Sequence, residues 1–245
     1  MADGKVVAVT GASRGIGAAI ALELVRRGFT VACLSRKGRG PEQDVPAALA
    51  SRLVNVACDV NDEASVRAAL AEVVARAGRL DGLVNNAGIH LDGRSATFET
   101  ARFDEVMATN ARAVFVACRE AYPHLEREGG TIVNIGSFFD KLGVKRNLAY
   151  CASKAAVGAI TRCLAVEWAA KRIRVLNVAP GYIETDLNRE AMRGALRPFL
   201  ESRVPVGRAG TTDEVARLVA SLLTEDIAYL TGETLYIDGA QGMAH

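Results

Sequence analysis

The amino-acid sequence predicts an α/β fold of the doubly wound, Rossmann type: a parallel seven-stranded sheet with helices on both faces. Three observations carry this expectation. Short β-branched runs alternate with longer stretches of helical period along the whole chain. Half of the residues are hydrophobic but only 5% are aromatic, so the core is built from Val, Ala, Leu and Ile, as in sheets buried on both faces. A glycine-rich turn separates the first strand from the first helix.

In order, residues 5–10 (KVVAVT) form the first strand. In residues 15–27, Ile16, Ile20 and Leu24 recur every four positions and so mark one helix face. Further strands are expected at 30–34, 53–57, 83–85, 131–135, 173–178 and 235–237, with helices at 64–77 and 150–170 among the segments between. Such alternation implies right-handed crossovers and parallel pairing. Residues 37–46, with two Gly and two Pro, read as a loop, and 188–208 as a candidate lid. No repeat is present, and 245 residues suit one domain spanning 1–245.

A formal charge of +2, from 30 basic and 28 acidic residues, argues against nucleic acid or an anionic membrane as partner. Five cysteines without paired spacing, three histidines (His90, His124, His245) without HExxH spacing, and no apolar run of membrane-spanning length point to a reduced, cytoplasmic protein without a metal.

In such sheets ligands bind beyond the carboxyl ends of the strands, which singles out the residues that leave them. After the first strand comes Thr10-Gly11-Ala12-Ser13-Arg14-Gly15-Ile16-Gly17. Glycines there close the turn, admit a pyrophosphate to the backbone and let the helix pack, while the helix N-terminus favours the anion; a plain tight turn is the alternative. The second strand ends Leu34-Ser35-Arg36-Lys37, with no acid to hold a ribose diol and with a guanidinium suited to a phosphate, so NADP is expected over NAD. The alternative is a solvated charge run. Asp59 and Val60 follow the third strand, where Asp59 serves either a ligand or a helix cap, Asn61 and Asp62 being rivals for the cap. Tyr150 and Lys154, four apart, share a helix face, where an ammonium would draw a phenol from its usual value near 10 toward neutrality. Ser137 closes the fifth strand. On its own it reads as a turn residue, and Asn110 as a solvent-facing or capping one.

TGxxxGxG at Thr10–Gly17, Asn85-Asn86-Ala87-Gly88, Asn110, Ser137, Tyr150-Cys151-Ala152-Ser153-Lys154, Pro180-Gly181-Tyr182-Ile183-Glu184-Thr185 and Ile237-Asp238-Gly239 together resemble the short-chain dehydrogenase/reductase family from Val6 to Gly239. The resemblance implies a catalytic set of Asn110, Ser137, Tyr150 and Lys154. It places the cofactor against Gly11, Ser13, Arg14, Gly15, Ile16 and Gly17, then Ser35 and Arg36, then Asp59 and Val60. Asn86, Ala87 and Gly88 would also meet it, as would Tyr150, Lys154, Pro180, Gly181, Ile183 and Thr185. Arg14 resembles a second basic residue of NADP-preferring members, Asp59 one that meets the adenine amino group, and Asn110 one that serves a water-linked proton path to the lysine. A homotetramer through helices around 101–120 and 150–170 is implied as well.

The function expected is NADP(H)-dependent hydride transfer between nicotinamide and a small ketone or secondary alcohol, Tyr150 acting as general acid/base. One alternative is a 3-oxoacyl-carrier-protein reductase, which the chain resembles in length and in Ile183-Glu184-Thr185-Asp186. Against it, one of the two basic carrier-reading positions is Glu128, beside Lys171, with Arg127 and Arg172 adjacent. Another is a cofactor sensor without chemistry. Phe138-Phe139 after Ser137 suggests an apolar or aromatic ketone pocket, or rings packed beneath the loop, since adjacent aromatics are not expected to face one site together.

Overall fold

The computed structural model describes residues 4–43 and 45–243; His245, weighed above as a metal ligand, lies outside them. The chain opens with β1 (Val6–Thr10), α1 (Gly15–Arg26) and β2 (Thr30–Ser35), then α2 (Ala47–Ala50), β3 (Leu53–Ala57), α3 (Glu63–Ala77) and β4 (Gly82–Asn85). Next come α4 (Thr100–Met107) and α5 (Ala113–Leu125), joined by a π-helical turn over Ala108–Arg112, and then β5 (Gly130–Ile135), α6 (Leu148–Trp168) and β6 (Ile173–Pro180). It closes with β7 (Ile183–Glu184), α7 (Arg189–Arg193), α8 (Arg197–Arg203), β8 (Gly210–Thr211), α9 (Thr212–Thr224) and β9 (Thr234–Ile237).

The seven expected strands form one sheet in the order β3-β2-β1-β4-β5-β6-β9, every pair parallel. Pleating divides β1 between the two faces. Val7 and Val9 pack with Ile20 and Leu24 of α1 and Val215 and Val219 of α9. Val6 and Ala8 pack with Leu70 and Val73 of α3 and Val114 and Ala117 of α5. Each fully buried Leu or Ile on these faces contributes roughly 1.5–3 kcal/mol. Asp62, not Asp59, caps α3 by accepting from the Ala64 N–H, which leaves Asp59 to the sheet edge.

The order reverses between β1 and β4, whose successors run outward on opposite sides, and this opens a crevice at their carboxyl ends. Gly17 permits it: a Cβ there would lie 2.3 Å from the Gly11 carbonyl oxygen and 2.4 Å from Asn86 Nδ2. The pair β7–β8 forms a separate small sheet that the pattern does not announce, because two residues carry no period. It brings the two ends of the 188–208 segment together, and that segment holds two short helices, α7 and α8.

Candidate active site

Ser137 leaves β5 in extended conformation and begins a 3-10 turn over Phe138–Asp140; its hydroxyl accepts from the Phe139 N–H at 3.3 Å. The Tyr150 phenol, on the first turn of α6, lines the same cavity as this hydroxyl. One turn further, buried Lys154 donates to the Ile135 carbonyl at 2.8 Å, its Nζ 5.6 Å from the Tyr150 ring centre. Burial pushes the ammonium down to about 8. Burial also pushes the phenol above its usual value, the Ser137 hydroxyl opposing it. The spacing of Tyr150 and Lys154 is as expected, but the net direction for the tyrosine is upward, because desolvation outweighs the opposing effect of Ser137. A phenol in that state holds its proton at neutral pH and is equipped to donate it.

Asn110 sits on the π-helical turn, a local widening frequent at functional sites. It is fully buried, against the solvent-facing alternative. Its Oδ1 accepts from the Ile89 N–H at 2.8 Å, and its Nδ2 donates to the Ile89 carbonyl at 2.8 Å and to Ser153 Oγ at 3.1 Å. It thus ties the strap after β4 to α6. A Cβ on Gly88 would meet Asn110 Oδ1 at 3.2 Å and Lys154 Nζ at 3.8 Å, so the three residues adjoin.

Two cavities share Asn86, Gly88, Ile89 and Thr185 and form one cleft along the carboxyl edge. The first, of about 470 Å³, is lined by Gly11, Ser13, Arg14 and Gly15, by Ser35 and Arg36, by Asp59 and Val60, and by Ala87. Arg14 and Arg36 are exposed and neither is ion-paired among the described residues. The Ser35 hydroxyl is held locally, donating to the Arg39 carbonyl at 2.7 Å and accepting from its N–H at 2.8 Å. Asp59 Oδ1 accepts from the Asn61 N–H at 3.0 Å. Glu42 also lines this cavity, its N–H donating to the Ser13 carbonyl at 2.8 Å. Sequence reasoning, looking only at the end of β2, missed this acid, which arrives from the 37–46 loop. The first turn of α1 carries no acidic residue, so its N-terminal N–H groups favour an anion.

The second cavity, of about 510 Å³, is lined at its catalytic end by Ser137, Tyr150 and Lys154. Ile16, Pro180, Gly181, Ile183 and Thr185 border it as well. Gly17 lines neither cavity and acts beneath the turn through its close packing. Phe138 and Phe139 both line this cavity, contrary to the expectation that adjacent rings could not. Their 3-10 turn separates consecutive side chains by about 120° instead of the 180° of a strand. His90 was weighed only as a metal ligand, yet its ring packs edge-on to Tyr150 with centroids 4.8 Å apart and contacts Asn147 at the start of α6. Tyr182, Met192 and Leu196 complete the wall. Among the described residues no three His, Cys, Asp or Glu gather as a metal site.

A family model described as enoyl-(acyl carrier protein) reductase matches residues 11–242. The 2-(R)-hydroxypropyl-CoM dehydrogenase of Xanthobacter autotrophicus is 38% identical over 244 residues, covering 96% of this chain and 98% of that protein. The 3-oxoacyl-(acyl-carrier-protein) reductase of Escherichia coli is 36% identical over 98% of each chain. Solved short-chain dehydrogenases/reductases match over 98% of the length. So does ElxO with NADP bound, at 32% identity with a TM-score of 0.90, covering 99% of that protein.

Proposed function

The chain belongs to the short-chain dehydrogenase/reductase family, and from that membership we propose an NADP(H)-dependent oxidoreductase in which Tyr150 exchanges a proton with a small ketone or secondary alcohol. The observation that carries this reading is the meeting of Ser137, Tyr150 and Lys154 at the carboxyl end of β5, in a cavity continuous with a glycine-lined groove.

NADP fits the residues present. The α1 N-terminus suits the pyrophosphate, and Gly11, Gly15 and Gly17 let the backbone approach it. Arg14 and Arg36 line this cavity and suit an adenosine phosphate, with Glu42 opposing them. ElxO carries NADP, which supports the same choice. Pro180, Gly181, Ile183 and Thr185 border the nicotinamide end. When bound, the nicotinamide supplies hydride for reduction and accepts it in oxidation.

Ser137 hydrogen-bonds the substrate oxygen, and Tyr150 gives its proton to that oxygen as charge develops there. Lys154 stabilises the phenolate left behind, and Asn110 holds the strap and helix that bring the proton path to the lysine. In the reverse direction the phenolate is the base.

The test is NADPH and NADH consumption in parallel with a panel of ketones. Turnover with NADPH at least tenfold more efficient is expected; equal efficiency with NADH removes the arginine argument, and tight NADPH binding without any turnover favours a sensor. Similarity to the Escherichia coli reductase favours a 3-oxoacyl thioester as the second reading. Against it, Glu128 and Arg172 line a cleft with Lys5 and Asp81 at the opposite, amino edge of the sheet from Tyr150. Phe115, Leu148 and Val166 stand exposed on α5 and α6, which supports a homotetramer through these helices; a solution mass tests it.

A further inference from the structure

Resting on the carbonyl reduction proposed above, we infer that the substrate is an uncharged ketone, or its alcohol, bearing one flat aromatic or alicyclic group that seats in a corner formed by Phe139 and Tyr182. Tyr182 is the hub of the wall. It meets Phe138 with centroids 5.4 Å apart at 66°, Phe139 at 6.2 Å and 87°, and Phe199 of α8 at 5.7 Å and 87°. Phe139 in turn lies 6.1 Å and 84° from Tyr150, so the corner opens directly beside the proton donor. Perpendicular rings offer a flat group one ring face and one ring edge at once, the arrangement aromatic pairs favour. Met192 and Leu196 face the corner with aliphatic surface.

The corner is preformed. At one end of the Phe138–Asp140 turn, Ser137 accepts from the Phe139 N–H; at the other, the Tyr236 hydroxyl of β9 donates to the Asp140 carboxylate at 3.0 and 3.1 Å, with the Lys141 ammonium 3.7 Å over the Tyr236 ring. A wall anchored to both β5 and β9 needs little ordering on binding.

Charge is excluded by the same lining. Among the described residues that border the cavity, those able to carry positive charge are Lys154, turned to the Ile135 carbonyl behind Tyr150, and His90, whose ring nitrogen is held by the Asn147 side chain. Of the arginines in the 188–208 segment, Arg189 and Arg193 are engaged by Glu184, Arg197 by Glu201 and Arg208 by Glu214, and Arg203 does not line the cavity. A carboxylate or sulfonate seated in the corner would be buried without a partner, which costs more than the ring contacts return. The cavity of about 510 Å³ also has to admit the nicotinamide, which restricts the remainder to a group of one or two rings.

The experiment compares kcat/KM of the full chain with NADPH for acetophenone, 2-butanone and 4-acetylbenzoate. Acetophenone is expected to exceed each of the others at least tenfold. Tyr182→Ala and Phe139→Ala should each reduce the acetophenone-to-butanone ratio about tenfold, through KM more than kcat. Phe139→Leu, which keeps apolar bulk, serves if those variants do not fold and should also reduce it. Calorimetry supplies a readout without turnover: 1-phenylethanol should bind the NADP+ complex at least tenfold more tightly than 2-butanol. Equal or better use of 4-acetylbenzoate, a ratio indifferent to all three variants, or turnover confined to a 3-oxoacyl thioester overturns the inference while leaving the carbonyl-reductase reading standing. No turnover of any carbonyl overturns that reading itself.

Discussion

The two halves of the cleft are built by different means. The half proposed to take the cofactor is shaped by backbone that short side chains hold in place: Thr10 Oγ1 accepts from the N–H groups of Asn86 and Ala87 at 2.9 and 3.0 Å, and Asn86 Nδ2 donates back to the Thr10 carbonyl at 3.0 Å. These bonds lock the exits of β1 and β4 to each other, so the groove's shape depends on a few small or hydrogen-bonding residues. The half proposed to take the substrate is made of side chains from four separate segments, with His90 after β4, Phe138 and Phe139 after β5, Tyr182 after β6 and Met192 on α7. Its shape changes with any of them. One frame can therefore keep a single cofactor geometry and vary the carbonyl it accepts.

The largest effect that sharpens this contrast is expected where the halves meet. Tyr150→Phe should lower kcat at least a hundredfold while leaving NADPH affinity within a few-fold, read by stopped turnover and fluorescence titration. Turnover kept within tenfold would sink the proton-transfer role. Next, within the cofactor half, Arg36→Ala should raise the NADPH dissociation constant about tenfold and leave NADH little changed, since a charge-assisted bond contributes roughly 1.5–3 kcal/mol. Glu42→Gln should move NADPH the other way by a few-fold. If Arg36→Ala weakens both cofactors alike, the groove does not discriminate by charge.

The smallest effect concerns Lys154, whose folded value of about 8 lies below its ordinary 10.5. The folded state therefore binds this proton less tightly than the unfolded one. Its ionisation costs stability at pH 7, on the order of 3 kcal/mol, and that cost is relieved as pH rises from about 8 to 10.5. Lys154→Met should leave Tm at pH 7 equal to or above that of the parent, the lost bond to Ile135 offsetting part of the gain, and the two proteins should converge toward high pH. Reduction should slow as pH rises through about 8, when the ammonium that supports the phenolate is lost. A Tm several degrees lower for the methionine variant would show that the lysine is needed for packing.

Much of this was legible before any coordinates. The seven strands were readable because each carries a short run of β-branched or apolar residues between helical periods, the glycine turn because it follows the first strand, and the Tyr150–Lys154 pair by its spacing of four, while Ser137 stood out from an ordinary turn residue only by family likeness. Asn110 was legible only by family likeness, for an isolated asparagine in a helical run carries no period. Glu42 and His90 were not read as members of the site at all. Each sits on a loop, and a loop's path is set by contacts remote in sequence, such as Glu42 N–H with the Ser13 carbonyl.

By itself, then, the sequence determined the parallel sheet and the strand ends at which the candidate site residues gather, because hydrophobic period and strand-end position are local properties. Only the tertiary structure decided that burial pushes the Tyr150 phenol up, that Phe138 and Phe139 line one cavity, and that Tyr182 joins them to α8. Desolvation and ring-to-ring geometry arise from segments that meet only when the chain is folded.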